Sequence, residues 1–444
     1  MKTKHALVVG AGLSGLAAAY HLKKNGWQVT VLEKSSHIGG RVMTKHRDGF
    51  VIDVGPDAIT TAYTEYLRIA EELGMSPHIV KSSPVIGFVR DGCIHDVDTS
   101  SLMKAAVSPF ISYASKLRFA AGMWRMRKDI NKTDMFNLVD QAQHDRPDVN
   151  AHDEACHYFG RELADYLIDP LVRLVVGTSS DRASLLSVRG VLSTWSHPII
   201  NIAGGLAALP DRLSQGIDVT LGVEVTEIER RNGSVGATWR AADGTLNNGE
   251  FEGVVISAQI DAAAKMSKDI ADLLGDDEQA IGALALMTIS MAFEKPTKSN
   301  AYAIQLPSVE HPDELLMFFE HNKAPDRAPS GKSLITYYID DRTARDHFRL
   351  TDNEVIHRAK DLIYRLAPEL EGAFLFAQIE RWERAGSLAM PGYYRIVQKI
   401  TNRLDQLKSI YLAGDFYSAG SMETALRTGR LAASKLISDR MAGT

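Results

Sequence analysis

Hydrophobic positions at the start of the chain fall into three consecutive patterns. Leu7, Val8 and Val9 form a short apolar run, as in a strand buried on both faces. Glycines follow at Gly10, Gly12 and Gly15, and then Leu16, Ala19, Tyr20 and Leu22 recur at helical spacing. Trp27 to Leu32 alternates as a second strand and ends at Glu33. Val254 to Ala258 and Ile410 to Leu412 read as further short buried strands. Val85 to Val97 reads as a hairpin around Asp91-Gly92. Leu286 to Phe293, Ser333 to Ile339 and Ala373 to Trp382 alternate as strands of a second sheet. Helical patterns run from about Ser101 to Thr194, with Pro147 and Pro170 as breaks. Residues 203–216 look like a glycine turn opening a short helix, and Val219 to Val225 like a strand returning to the first sheet. Strands alternating with helices predict an α/β fold.

The order strand, Gly10-x-Gly12-x-x-Gly15, helix, strand, acid has a chemical reason. Gly10 permits a tight turn, Gly12 lets the backbone approach a pyrophosphate, and Gly15 lets helix and strand pack closely. The first helical turn, with Leu13 and Ser14, offers free N–H groups and a positive dipole end to phosphates. Glu33 stands 18 residues beyond Gly15, where a carboxylate can accept hydrogen bonds from both ribose hydroxyls, and Lys34 follows it. That carboxylate would repel a 2′-phosphate, which disfavours NADP. A lone glycine triplet would mean no more than a turn; in this full context it marks a dinucleotide site.

Gly39-Gly40-Arg41 follows the second strand, and then come Phe50 to Asp53, Gly55, Pro56 and Asp57. Near the other end Ile410 to Leu412 leads to Gly414, Asp415 and Ser421, and to a helix from Met422. Met422, Ala425, Leu426, Gly429 and Ala432 fall on one face of that helix, and Gly429 would permit close packing. Together these segments resemble the flavoprotein superfamily of amine oxidases, protoporphyrinogen oxidases and carotenoid-desaturase-like enzymes. The resemblance implies FAD, with Gly40 and Arg41 around its pyrophosphate and Gly55, Pro56 and Asp57 along the isoalloxazine. It also implies that Val225 meets the adenine, that Asp415 beside Gly414 binds the ribityl chain, and that Ser421 and Met422 face the flavin N1–C2=O edge. A helix N-terminus there would ease hydride acceptance. The implied fold is a Rossmann-type, discontinuous FAD-binding domain (1–80, 200–275 and 395–444). A substrate-binding domain of mixed sheet and helices would take 81–199 and 276–394.

Length and composition narrow the class. A chain of 444 residues exceeds one ordinary core and suggests two domains. No apolar segment reaches the roughly 20 residues of a membrane span. A net charge of −5 gives no electrostatic case for nucleic acid. Cys93 and Cys156 show no metal spacing or disulfide framework and lie far from the C-terminal motif, so FAD is expected to be held non-covalently. With the motif starting close to Met1, a cytoplasmic location is expected. His152 and His157 are five apart, a spacing that does not stack two rings on one helical face; no metal is expected.

The substrate side decides the reaction. Residues 167–187 and Gly204 to Leu206 resemble the porphyrinogen oxidase and desaturase branch. Amine oxidases of the monoamine type carry a lysine near flavin N5 where this chain has Thr288, and an aromatic cage residue where it has Ser421. Both differences weaken the case for amines. Tyr394 and Arg395, beside Tyr393, are candidate catalytic residues: a tyrosine can take a proton and an arginine can bind a carboxylate. Tyr417, a third catalytic candidate, and Trp382 either flank the flavin ring or fill the domain interface, and Arg173 is a second candidate anion partner for which a helix-surface ion pair is the favoured reading. Ser101 to Lys128 interleaves six basic residues with aromatic and aliphatic ones. It reads as a helical lid with its arginines on the wet face, peripheral membrane contact being the alternative. The expected function is dehydrogenation of a cyclic or lipophilic small organic molecule by hydride transfer to flavin, with oxygen as electron acceptor. Amine oxidation and a non-catalytic flavin-binding module are the alternatives.

Overall fold

Two large sheets organise the chain in the computed structural model, which describes residues 4–442 apart from Ala419. In the five-stranded one, His5–Val9 lies centrally between Gln28–Leu32 and Gly253–Ile256, and Asp218–Thr220 and Ile410–Leu412 form the edges. Every pairing is parallel. Parallel sheets need crossovers and cover on both faces, and Val8, Val31 and Val255 are accordingly fully buried. The sheet thus joins stretches from the beginning, middle and end of the sequence.

Helices Leu13–Lys24 and Met422–Ala442 cover one face. They cross at Gly429, where a Cβ would lie 2.1 Å from the Ser14 carbonyl oxygen. Only glycine allows that approach.

The second sheet has seven strands, in the order Phe374–Ser387, Ala283–Phe293, Ser333–Ile339, Glu314–Phe319, Ala303–Gln305, Val85–Arg90, Cys93–Asp98. It is antiparallel except where Ala303–Gln305 meets Val85–Arg90. The final hairpin turns at Asp91 and Gly92, both with positive φ (53° and 69°), as a two-residue turn of matching twist requires. Helices including Tyr113–Ile130, Ala151–Phe159, Asp169–Val176 and Leu186–Ser193 form a separate layer. The whole is an α/β fold with a Rossmann-type parallel sheet and a mixed-sheet and helical unit.

Two local expectations are corrected. The run Val219 to Val225 is not one strand: Asp218–Thr220 ends in the parallel sheet, Gly222 (φ 69°) turns the chain, and Glu224–Arg231 starts a three-stranded meander. Pro170 does not break its helix but lies in the first turn of Asp169–Val176, and the turn before it widens into the π-helix Ala164–Ile168. Among the described residues no helix is long and apolar enough to cross a membrane.

Candidate active site

The glycine turn forms a cradle. At Gly10 (φ 96°) a Cβ would lie 2.5 Å from the Ser257 carbonyl oxygen, and at Gly15 one would lie 2.0 Å from the Gly10 oxygen. Gly12 differs: nothing stands within 4 Å of a Cβ built there, and Gly12 faces a cavity. It also begins the helix Leu13–Lys24 with no side-chain cap, so the first-turn N–H groups stay available to a phosphate. Glu33 closes this end, its carboxylate accepting from the Ala11 N–H (2.6 Å) and the Ser35 N–H (2.7 Å).

From the opposite end of the sequence, Asp415 meets Arg41 in a two-point pair, 2.9 Å at each contact. Gly40, Arg41, Gly55, Pro56, Asp57, Gly414, Asp415, Ser421 and Met422 all line one cavity with Gly12, Leu13, Ser14 and Glu33. Its volume is about 1680 Å³. Ligand pockets ordinarily measure roughly 300–1,000 Å³, so this one has room for a dinucleotide and a second molecule. Gly12, the uncapped helix and Glu33 fit the pyrophosphate and ribose of FAD. The Ser421 hydroxyl accepts from the Thr424 N–H (3.1 Å) and so caps Met422–Ala442, in place of an aromatic wall.

Beyond Gly55 the cavity floor is the mixed sheet. Thr288 and Tyr338 are cross-strand partners and both line the cavity. Trp382 also lines it, its ring N–H donating to the Val54 carbonyl (3.1 Å), which places the ring beside the Gly55 segment. Tyr338 donates to the Asp57 carboxylate (2.9 Å) and lies 3.2 Å from the Gly55 carbonyl. The other Asp57 oxygen pairs with Lys323, which also pairs with Glu320. Arg327 pairs with Asp53 (2.7 Å) and donates to Asn201 (2.7 Å), whose amide donates to the Asp57 carbonyl. Asp53, Asp57, Glu320, Lys323 and Arg327 are all at most 5% exposed. Three carboxylates thus face two cations out of water, leaving one negative charge uncompensated. Burial, then the neighbouring Glu320, pushes the Asp57 carboxyl up to about 7 against the pull of Lys323.

Other expectations fall elsewhere. Val225 is buried in the meander opposite Trp239 and does not line the cavity. Lys34 lies on the surface and pairs with Glu224 (2.7 Å). Tyr394 and Arg395 do not border the cavity. Tyr393, Tyr394, Val397, Ile400 and Leu404 form the buried face of the helix Tyr393–Leu404, so Tyr394 is core. Its hydroxyl has no hydrogen-bond partner among the described residues, and burial drives it well above its usual range. Arg395, one residue on, turns to solvent and donates to the Gln143 carbonyl (3.1 Å). Tyr417 stacks behind Phe416 (4.2 Å between ring centres), and Phe416 takes the cavity face. Arg173 is no surface ion pair: it is wholly buried, lines the cavity and donates to the carbonyls of Leu306 (2.6 Å) and His311 (3.0 Å).

The helices Leu102–Val107 and Tyr113–Ile130 form one end of the cavity through Ala105, Lys116 and Phe119. Their outer face is not simply charged. Met103, Val107, Tyr113, Leu117 and Trp124 are 66–80% exposed, interleaved with exposed Lys104, Arg118, Arg125, Arg127 and Lys128.

A family model described as flavin containing amine oxidoreductase matches residues 13–437. The chain is 23% identical to protoporphyrinogen oxidase 2, chloroplastic/mitochondrial, of Arabidopsis thaliana, over 98% of this chain and 94% of that protein. It is 20% identical to coproporphyrinogen III oxidase of Bacillus subtilis, over 97% of each. Among solved structures, cyclohexylamine oxidase from Brevibacterium oxydans superposes with a TM-score of 0.76 at 16% identity, covering 100% of both chains, a likeness of fold.

Proposed function

The chain belongs to the flavin containing amine oxidoreductase family and is an FAD-dependent oxidoreductase, and from that premise we propose that it dehydrogenates a cyclic or lipophilic organic substrate. FAD is held without a covalent bond, and oxygen is the electron acceptor. The observation that carries this reading is the apolar chamber beyond the Gly55 segment, walled by Ile86, Phe88, Phe110, Leu171, Tyr302 and Phe318. A substrate buried there gains roughly 25 cal/mol per Å² of apolar surface. The relatives matched over nearly their full length are named for oxidising porphyrinogens, which are cyclic.

Bound FAD supplies a two-electron acceptor for a hydride. The protein's part is to orient the donor carbon, exclude water and accept a proton. Gly12, Glu33, Arg41 and Asp415 would hold the cofactor, and Trp382 and Thr288 would shape the wall beside the reacting carbon. Thr288 cannot hold a water by a charged amine as a lysine would, and Ser421 supplies no ring, so simple amines gain little here. An anaerobic screen of cyclic ketones, tetrapyrroles and amines for bleaching of the flavin tests the reading. Bleaching by a non-basic cyclic compound but not by benzylamine is the expected result. Rapid bleaching by benzylamine restores amine oxidation, and no bleaching by any of them favours a binding module.

The lid adds a route of entry. Tyr113, Leu117 and Trp124 lie at spacings of four and seven along one exposed stripe, flanked by cations, the pattern of a helix that rests on an anionic membrane surface. Lys116 and Phe119 of the same helix line the chamber, so a lipophilic substrate would pass from bilayer to cavity without crossing water. Sedimentation with vesicles containing anionic phospholipid should carry the protein down, and Leu117→Asp with Trp124→Asp should release it. Equal recovery in the supernatant with and without such vesicles would refute membrane docking.

A further inference from the structure

Tyr338 and Asp57 form a contact that cofactor binding alone does not explain. Both line the cavity at the Gly55 segment, beside Thr288. The Asp57 side chain is only 2% exposed, so a substrate reaches it through the Tyr338 hydroxyl, 2.9 Å away. On the far side Lys323 and Glu320 continue the network inward, with Arg327 and Asp53 behind them. These four ionisable groups and Tyr338 are those that face Asp57 from the elements packed on it. Their uneven charge leaves one proton binding site in the cluster.

We infer that Tyr338 and Asp57 form the proton relay of the reaction, Tyr338 meeting the substrate and Asp57 receiving the proton. This rests on the dehydrogenation reading above. With bound FAD supplying the hydride acceptor, the C–H or N–H bond next to the oxidised atom would break and its electron pair would become the new π bond. The released proton bonds to the Tyr338 oxygen while the hydroxyl's own proton passes to Asp57 Oδ2. Tyrosine stays neutral throughout, as its strongly raised ionisation, driven by burial and by the Asp57 charge, demands. Lys323 is a positioning residue: it holds the carboxylate with one oxygen toward Tyr338. Because Asp57 titrates near 7, it is ionised and receptive in part at neutral pH and wholly so above it.

Tyr338→Phe is the primary test. It removes one hydroxyl and keeps the ring edge-on to Phe318 (5.8 Å between centres), so the fold should survive. With a bleaching substrate, anaerobic flavin reduction by the wild type should accelerate as pH rises through about 7. In Tyr338→Phe it should be slower by on the order of 100-fold or more, the usual contribution of a positioned proton acceptor. A second readout needs no substrate. Infrared spectra of the oxidised holoenzyme should show a carboxylic acid carbonyl band that disappears near pH 7, shifts its midpoint in Tyr338→Phe and is absent in Asp57→Asn. Reduction by Tyr338→Phe at the wild-type rate, or no titrating carbonyl band in the wild type, overturns the relay. If no compound bleaches the flavin, the dehydrogenation reading fails, and the infrared titration still decides whether Asp57 exchanges a proton through Tyr338.

Discussion

A single methyl group, added at Gly12 or at Gly15, should separate cofactor binding from folding. Gly12 has φ −72° and ψ 175°, a conformation any residue adopts, and an added Cβ meets nothing within 4 Å. Alanine there loses some helix-capping preference, at most about 1 kcal/mol, and recovers roughly 0.4–1 kcal/mol from reduced chain entropy. The cofactor-free protein should therefore melt close to the wild type. The methyl points into the cavity where the pyrophosphate is proposed to lie. Losing two charge-assisted hydrogen bonds at about 1.5 kcal/mol each, the low end of their range, weakens FAD by roughly 100-fold. At Gly15 the methyl would sit 2.0 Å from a backbone oxygen that cannot move alone. That overlap should destabilise the cofactor-free protein itself by roughly 1–3 kcal/mol. Calorimetry of the cofactor-free proteins and titration by quenching of flavin fluorescence read the two effects separately. Gly12→Ala binding FAD with the wild-type Kd would show that the pyrophosphate does not lie there.

Glu33→Ala should weaken FAD by roughly 1–3 kcal/mol, the cost of unsatisfied partners, measured by the same titration; an unchanged Kd would remove Glu33 from the ribose. A fragment of residues 1–200 lacks three of the five parallel strands as well as Asp415, and should retain little FAD affinity in equilibrium dialysis. Full affinity in that fragment would contradict the discontinuous domain. The raised Asp57 carboxyl makes stability pH-dependent: the folded state holds a proton the unfolded chain has released, so its contribution is full below about 4 and lost as pH rises through about 7. Denaturant titrations should show wild type losing on the order of 3 kcal/mol more than Asp57→Asn between pH 5 and pH 8. Parallel losses in the two proteins would refute that assignment.

The nucleotide half of the molecule was legible in the sequence because backbone geometry sets its residues. Gly10 and Gly15 are fixed by the backbone oxygens that a Cβ would strike, and Glu33 by the length of one helix and one strand; such constraints leave a spacing. Arg41 and Asp415 were each legible for the same reason, though not their direct pairing, which depends on the closure of the chain. Of the proposed proton relay only Asp57 stood in a motif, and there as a cofactor residue. Asp57 comes from one stretch and Lys323, Arg327 and Tyr338 from another far along the chain, and only the packing of the Gly55 segment on the mixed sheet brings them together. Tyr394 and Arg395 looked chemical because a tyrosine pair and an arginine follow a proline and a glycine. Helical periodicity instead sends Tyr394 into the core and Arg395 into water. The signal that pointed the other way was present: Glu320, Lys323 and Arg327 fall within eight residues of an apolar strand, Glu314–Phe319, where charges must either reach solvent or be paired.

That contrast bears on which part of the site sets the substrate. The proposed cofactor end is held by the backbone of the parallel sheet and by one ion pair across it, and a substitution there should change FAD binding whatever the substrate. The chamber is walled by side chains from the mixed sheet on one side and the lid helices on the other, which share no strand. Its shape can therefore vary through the helical layer while Thr288, Tyr338 and Asp57 stay fixed by the sheet and its buried ions. Moving those ions would leave an uncompensated buried charge, at a cost of roughly 3–5 kcal/mol, whereas replacing one apolar lid residue by another of similar volume usually costs less than about 1.5 kcal/mol. On the proposed reading, substitutions at Phe110, Phe119 and their neighbours should therefore shift substrate range, and substitutions in the buried cluster the proton chemistry.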